Sequence, residues 1–428
     1  MKFNKSSQLL LVSAASLLAA GLITACGTDT VDFVYVASAK AAGTNNYGEI
    51  DVFEINSVSG AMRQITASPF PSGGRNPVAE AVSSDNANLY VVNQDDNTIV
   101  QFMIGNDGKL YPQNTVNTPG IYPLAETVSG TYLFVVDTYQ PLPACSNADP
   151  CSGSVGVFPL EPATTGSNPT PSGAPGSPVV NPLTIYDACH STSTRGSYWP
   201  LTLASSPCDV IVPTAVNVLT SGADLFVTAY DSSVTPTVGY VFGFSIGSSG
   251  ALTPLNGGVP FVAGVHPSAV ASATETSGIY VYVTDSTSGN ISGFKFASGL
   301  LTPLSGTPFP AGTQPSAIVV DSIYPYAYVA NTVDGTVSAY SIGGSGALTR
   351  IGTYAAGIQP VAIGIDPSTK HFVFTANFTP GGTDGSVSDF ELSATAGTLV
   401  NTQHSPYNSN ANPTAVAAIP HGSTNTTQ

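Results

Sequence analysis

Basic residues are scarce in this chain. Ten Lys and Arg stand against 26 Asp and Glu, for a net charge of −16. Removal of an N-terminal segment carrying Lys2 and Lys5 leaves eight basic residues and all 26 acids, a net charge of −18. Nucleic acid and anionic lipid headgroups are poor partners for such a surface. Charge of either sign is rare: charged residues make up 8% of the chain, against about 25% in an ordinary soluble domain. No apolar run beyond the N-terminus is long enough to span a bilayer. Amphipathic helical periodicity is nearly absent. There is no G-x-S-x-G, H-E-x-x-H, P-loop or dinucleotide fingerprint, so the usual hydrolase, zinc-protease and nucleotide chemistries lack their signatures, and no cofactor is expected.

Gly, Pro, Ser, Thr and Asn fill the space that charge leaves. Together with abundant Val and Tyr, they indicate a large all-β protein with polar loops.

The first residues form an export signal. Lys2 and Lys5 precede an apolar stretch from Leu9 to Ile23, which ends in Ile23-Thr24-Ala25-Cys26. That ending resembles the bacterial lipoprotein box, in which small residues admit a signal peptidase and the Cys thiol accepts a diacylglycerol. Residues 1–25 are therefore expected to be a lipoprotein signal peptide, Cys26 the lipidated residue, and 26–32 a short tether. Several acyl chains would anchor the protein to a membrane on its outer side.

Internal repetition dominates the rest. An aromatic-Val strand occurs seven times, for example Leu89-Tyr90-Val91-Val92-Asn93 and Ala327-Tyr328-Val329-Ala330-Asn331. A second strand follows each copy with one aromatic: Phe53, Phe102, Phe158, Phe244, Phe294, Tyr340 and Phe390. A Gly turn then recurs six times, as in Ser59-Gly60-Ala61-Met62 and Ser345-Gly346-Ala347-Leu348. Finally a strand opens with Pro77, Pro123, Pro213, Pro267, Pro315, Pro360 or Pro413. Four strands repeated seven times predict a seven-bladed β-propeller of four-stranded antiparallel blades over residues 33–420. The chain starts without a Pro-led strand and ends with an extra one. The C-terminal strand is thus expected to join the N-terminal blade and close the ring. Residues 421–428 are expected to be a disordered tail, and the closed ring to be a monomer.

Tyr328-Val329-Ala330-Asn331-Thr332 followed by Asp334-Gly335-Thr336-Val337-Ser338 resembles the YVTN repeat. Over residues 31–420 the array is similar to the seven-bladed lactonase-like propellers, the group that includes 6-phosphogluconolactonase. The resemblance implies the fold, and with it the possibility of lactone hydrolysis. The His-Pro-His and Asp-Pro-x-Gly segments associated with those enzymes are represented only by the fragment Asp366-Pro367-Ser368.

Two insertions interrupt the third blade, at 138–153 and 161–212, and are expected to form a cap on the face where the Pro-led strands begin, here called the upper face. They hold Cys145, Cys151, Cys189 and Cys208. An even count in the loops of an exported chain indicates disulfides. Local pairing, Cys145–Cys151 and Cys189–Cys208, is favoured over the two alternatives. The spacings are not those of a zinc site, and no metal is expected.

The residue before each repeat Pro should ring the channel mouth: Asn76, Tyr122, Val212, His266, Gln314, Gln359 and Asn412. This ring is polar and mostly uncharged, suited to a neutral polyol, a sugar or a peptide. Three residues after the Pro, five blades carry Val216, Val270, Ile318, Ile363 and Val416, whereas the second and third carry Glu80 and Glu126. Two carboxylates on adjacent inner strands, with Arg75 at the head of one, form either a buried structural network or an acid/base pair that His266 assists. The expectation is a lipid-anchored, extracytoplasmic ligand- or protein-binding module of the cell envelope. The alternative is a sugar-lactone hydrolase using Glu80, Glu126, Arg75 and His266.

Overall fold

The computed structural model describes residues 30–421 apart from 41–45, 58, 143–144, 146–150, 164–171, 190, 367–371, 381–383 and 410. The expected signal peptide with Cys26, and the tail from 422 onward, lie outside the described residues.

Seven antiparallel sheets stand in a ring. In each, the Pro-led strand is innermost, the aromatic-Val strand lies second, and two further strands complete the blade. Every innermost strand packs against the next, and the last, Asn412–Pro420, packs against the first, Pro77–Val82. Asn412–Pro420 also pairs with Thr30–Ala39, from Asp32 opposite Pro420 to Ala39 opposite Asn412. The C-terminal strand therefore closes the ring as the inner strand of blade 1. Among the described residues no helix is long and apolar enough to cross a membrane.

The hydrophobic core lies between the blades. It divides into seven clusters, one for each seam between neighbours. This explains why the second strands read as unbroken apolar runs. Both faces of a blade are covered, so Leu89 and Val91 enter the seam with blade 1 while Tyr90 and Val92 enter the seam with blade 3.

Polar groups lock the same seams. Tyr35, Tyr90, Tyr282 and Tyr328, all on second strands, donate through their hydroxyls to the carbonyls of Gly108, Gly173, Gly346 and Gly397 in the following blade. Each acceptor is the glycine of a turn before the outer strand, and each has positive φ. Gly173 is thus the seventh copy of the Gly turn. It escaped the repeat because residues 162–171 delay it. In the YVTN segment, Tyr328 is the lock on Gly397, 3.1 Å away. Asn331 accepts from the Gly312 amide at 2.9 Å and donates to Ser338. Thr332 donates to the Pro360 carbonyl of blade 7. The motif is a blade-joining device.

The insertions of blade 3 have different fates. Residues between Tyr132–Tyr139 and Ser154–Glu161 leave from the upper face. The longer insertion is distributed along the whole outer edge rather than gathered above the channel. Ala174–Pro175 pairs with Leu160 and Glu161 at the lower end, and Tyr198–Pro200 pairs with Ser154–Gly156 at the upper end. Exposed strand edges demand partners, and here the insertion itself supplies them. Between these two pieces a small hairpin, Ile185–Asp187 with Thr192–Thr194, stands out. Cys145 is bonded to Cys151 and Cys189 to Cys208, the local pairing. Two disulfides point to an oxidising, extracytoplasmic compartment.

Candidate functional site

The inner strands build the channel, and their first residues build its mouth. Asn76, Tyr122, His266, Gln314 and Gln359 all lie in the left-handed region, with φ between 43° and 57°. Such backbone costs about 1–3 kcal/mol per non-glycine residue. The cause is local. The next residue is Pro, which lacks an N–H, and the pairing register shifts just after it in each of these blades. The chain therefore turns sharply, and the carbonyl of the strained residue is caught from outside. Gln94, Ser286, Thr332 and Phe378 donate their amides to Asn76, His266, Gln314 and Gln359. Five strained residues around one opening mark it as a candidate ligand site.

One side of the mouth is aromatic. Tyr122 meets Tyr139 edge-on at 6.1 Å, and Tyr139 lies close enough to Tyr230 to help raise its pKa, after burial. Tyr230 stacks on His266 at 4.1 Å, with Ser286 Oγ 3.2 Å from the imidazole Nδ1. Tyr139, Tyr230 and Ser286 were not among the sequence candidates. Their signal lay at the upper end of the aromatic-Val strands, where pairing sets Tyr230 opposite Val212 and Tyr139 opposite Ile121, next to Tyr122. The other side is amide. Asn76 donates to Gln94 and Asp95, and Asn412 accepts from the Thr379 amide. The side chains of Gln314 and Gln359 make no hydrogen bond among the described residues. Val212, opposite Tyr230 in the strand pairing, lies within the aromatic sector between Tyr122 and His266 and has no strained φ.

Arg75 does not reach toward Glu80. Its Nε and one terminal nitrogen hold Asp96 Oδ1, and its own amide donates to Asp96 Oδ2. Burial opposes charge on Asp96, but these bonds prevail and hold its pKa below the usual carboxylate range. Arg75 lies ahead of the strand Pro77–Val82 that carries Glu80, on the other side of the sharp turn at Asn76.

Glu80 and Glu126 occupy the place that apolar wedges fill elsewhere. Val216, Val270 and Ile318 belong to seam cores, and Ile363 and Val416 pack against them. Glu80 enters the seam between blades 1 and 2, where its charge is felt by Tyr35. Glu126 enters the next seam, where it is felt by Tyr90. Both residues are half-buried, yet all four carboxyl oxygens are buried without a hydrogen-bond partner. The exposed part is therefore the stem and backbone, and the carboxyl groups sit behind the channel wall. Burial pushes Glu80 up to about 8; the backbone at Ala37 and Ala417 offsets part of this without reaching hydrogen-bond geometry. Burial also holds Glu126 well above the usual range, and the charge of Glu80 adds to it. The structure thus places the two carboxyls in successive seams, near enough to interact. Arg75 is held apart from them by Asp96. No group of three or more metal-binding side chains occurs among the described residues.

The fold is a seven-bladed propeller, and the channel mouth is its candidate site. A family model described as "Lactonase, 7-bladed beta-propeller" matches residues 270–424. No curated protein matches the sequence. Among solved structures, the chain is similar to the periplasmic gluconolactonase of Pseudomonas aeruginosa, at 17% identity and TM-score 0.63, covering 91% of this chain and 99% of that one. It is also similar to a candidate 6-phosphogluconolactonase from Bacteroides fragilis, at 16% identity and TM-score 0.65, covering 92% and 99%. At these identities the likeness establishes the fold.

Proposed function

We propose that this chain is a hydrolase of sugar lactones. The observation that carries the reading is the Glu80–Glu126 pair: two interacting carboxyls on adjacent inner strands of a lactonase-type propeller, both pushed up by burial, Glu80 to about 8. Such a group both takes and returns a proton at working pH. In the reaction, one carboxylate removes a proton from water and the water oxygen bonds to the lactone carbonyl carbon. The ring C–O bond then breaks, the departing oxygen takes up a proton, and a sugar acid leaves. His266 supplies a second proton-transfer group at the mouth.

The mouth favours an uncharged substrate. Aromatic rings serve the C–H faces of a sugar, and amides serve its hydroxyls. Two cations near this rim are already engaged, Lys40 with Glu49 at 2.6 Å and Arg75 with Asp96. A phosphoryl group would find no free partner in either.

Assay of the purified chain against neutral and phosphorylated aldonolactones tests this. Neutral lactones are expected to open faster than in buffer. Glu80→Gln or Glu126→Gln should lower the rate about 100-fold or more, with the fold retained. If no lactone opens faster than in buffer, a second reading stands, a ligand-binding module of the cell envelope. The observation favouring that reading is the position of the carboxyl oxygens behind the channel wall.

The lipoprotein-like box at Ile23–Cys26 supports export and anchoring. Cys26→Ser should lose incorporation of an acyl-chain probe. Equal labelling of variant and wild type would refute the anchor.

A further inference from the structure

We propose that the groove between the outer edge of blade 2 and the inserted hairpin of blade 3 is a binding site for a sugar acid, a carboxylate bearing several hydroxyls. The groove encloses about 730 Å³, within the range of small-molecule sites. Its apolar walls are Pro119, Pro141, Leu142 and Pro178, and Arg195 and Tyr198 stand in its lining.

Arg195 carries the first argument. The other described cations are occupied. Lys40, Arg63, Arg75 and Lys109 are in ion pairs, while Lys295 and Arg350 donate to the carbonyls of Ser277 and Pro310. The Arg195 guanidinium is exposed and makes no hydrogen bond or ion pair among the described residues. A free, forked cation in a chain of net charge −16 suits a carboxylate, which it can grip through two parallel hydrogen bonds.

Tyr198 is an independent second argument. The residue is only 2% exposed, and its hydroxyl is buried with no hydrogen-bond partner. Leaving such a group unsatisfied costs about 1–3 kcal/mol, so a ligand that displaces the groove wall covering it gains an open donor. Burial, with the charge of Asp187 added, raises its pKa to about 12, so the hydroxyl stays a donor. The side chains of Thr192, Ser193 and Ser197 add hydroxyls along one wall. Together these groups complement one carboxylate and a run of alcohols.

The site is held in shape. Tyr198 belongs to the strand that pairs with Gly156, and Asn181 donates to its carbonyl. Cys189, beyond one strand of the hairpin, is tied to Cys208. The Thr118–Pro119 and Pro141–Leu142 loops place the groove on the upper face, the face of the channel mouth. A sugar acid is also the product class of lactone opening, but the site rests on Arg195 and Tyr198 and stands without that activity.

Calorimetric titration with D-gluconate and D-glucuronate, and with D-glucose as the neutral counterpart, tests the assignment. At least one acid should bind, and glucose should bind at least ten times more weakly. Arg195→Ala should weaken the acid tenfold or more. Tyr198→Phe, which keeps the buried ring, should weaken it about fivefold, the equivalent of one hydrogen bond. Lactone turnover by Arg195→Ala should equal that of wild type, so this site and the channel fail separately. Absence of binding by both acids overturns the proposal. So does acid binding that survives Arg195→Ala undiminished, or that disappears in Glu80→Gln and not in Arg195→Ala, since the ligand would then occupy the channel.

Discussion

A chain ending at Ala411 is expected not to fold cooperatively. The cut removes the inner strand of blade 1 and opens two seams. Ile419 is fully buried in the seam with blade 2, while Val416 and Ala418 pack into the seam with blade 7. Thr414 Oγ1 bridges to the Pro77 carbonyl at 2.7 Å and to Ala37 at 3.0 Å. Each large aliphatic side chain contributes about 1.5–3 kcal/mol by burial, and the ladder along Thr30–Ala39 is lost as well. Whole domains are stable by only about 5–15 kcal/mol. The loss is thus of the same size as the total, and the exposed edge of Thr30–Ala39 would invite aggregation. Circular dichroism should show no sharp melt, and protease should digest the chain. A peptide spanning residues 410–422 added in trans should restore both, as an added strand does elsewhere. A truncated chain that melts as wild type would mean that the ring does not depend on its closure.

The second large effect is a stability that falls as pH rises. Glu80 has a folded pKa of about 8, above the ordinary 4.5. The folded state therefore holds a proton that the unfolded chain releases. The stabilisation is complete below about pH 4.5, declines as pH rises, and is fully lost above about pH 8. At pH 7 the loss from Glu80 is about 3 kcal/mol. Glu126 shifts in the same direction, and so do Asp137, to about 7, and Asp285, to about 6. The wild type should be most stable in mild acid. Glu80→Gln cannot ionise, so its denaturation midpoint should match wild type near pH 4.5 and exceed it at pH 8. A variant less stable than wild type at pH 8, or a wild type as stable at pH 8 as at pH 5, would show that the carboxyl is charged and paired in the fold. If the same substitution also removes lactone turnover, the buried carboxyl is a stability cost retained for chemistry.

The two variants probe different kinds of information. The closing strand could be read from the chain alone. Seven aromatic strands and seven Pro-led strands, the last of which, at Pro413, has no aromatic strand after it, leave one way to complete the ring. Glu80 and Glu126 were equally visible as departures from a column of Val and Ile. Their placement in separate seams was not visible, because a repeat gives the position along a strand and not the distance across a seam. Arg75 shows the same limit. Its nearness in sequence to Glu80 suggested a partnership, but the turn between the second and third strands brings Asp96, 21 residues away, to its guanidinium.

By itself the amino-acid sequence determined the class of fold, the number of blades and the phase of closure, and it favoured the local disulfide pairs that the structure shows. These rest on short-range rules: alternation along a strand, Pro at a strand start, Gly at a turn, Cys close in the chain. Only the tertiary structure decided which side chains face one another. The Tyr90 hydroxyl finds Gly173 across 83 residues, the arc from Tyr122 to His266 spans three blades, and Arg195, without a partner among the described residues, shares a groove with Tyr198. Such contacts depend on how each blade is rotated against the next, which is set by seam packing around the whole ring and by no single stretch of chain.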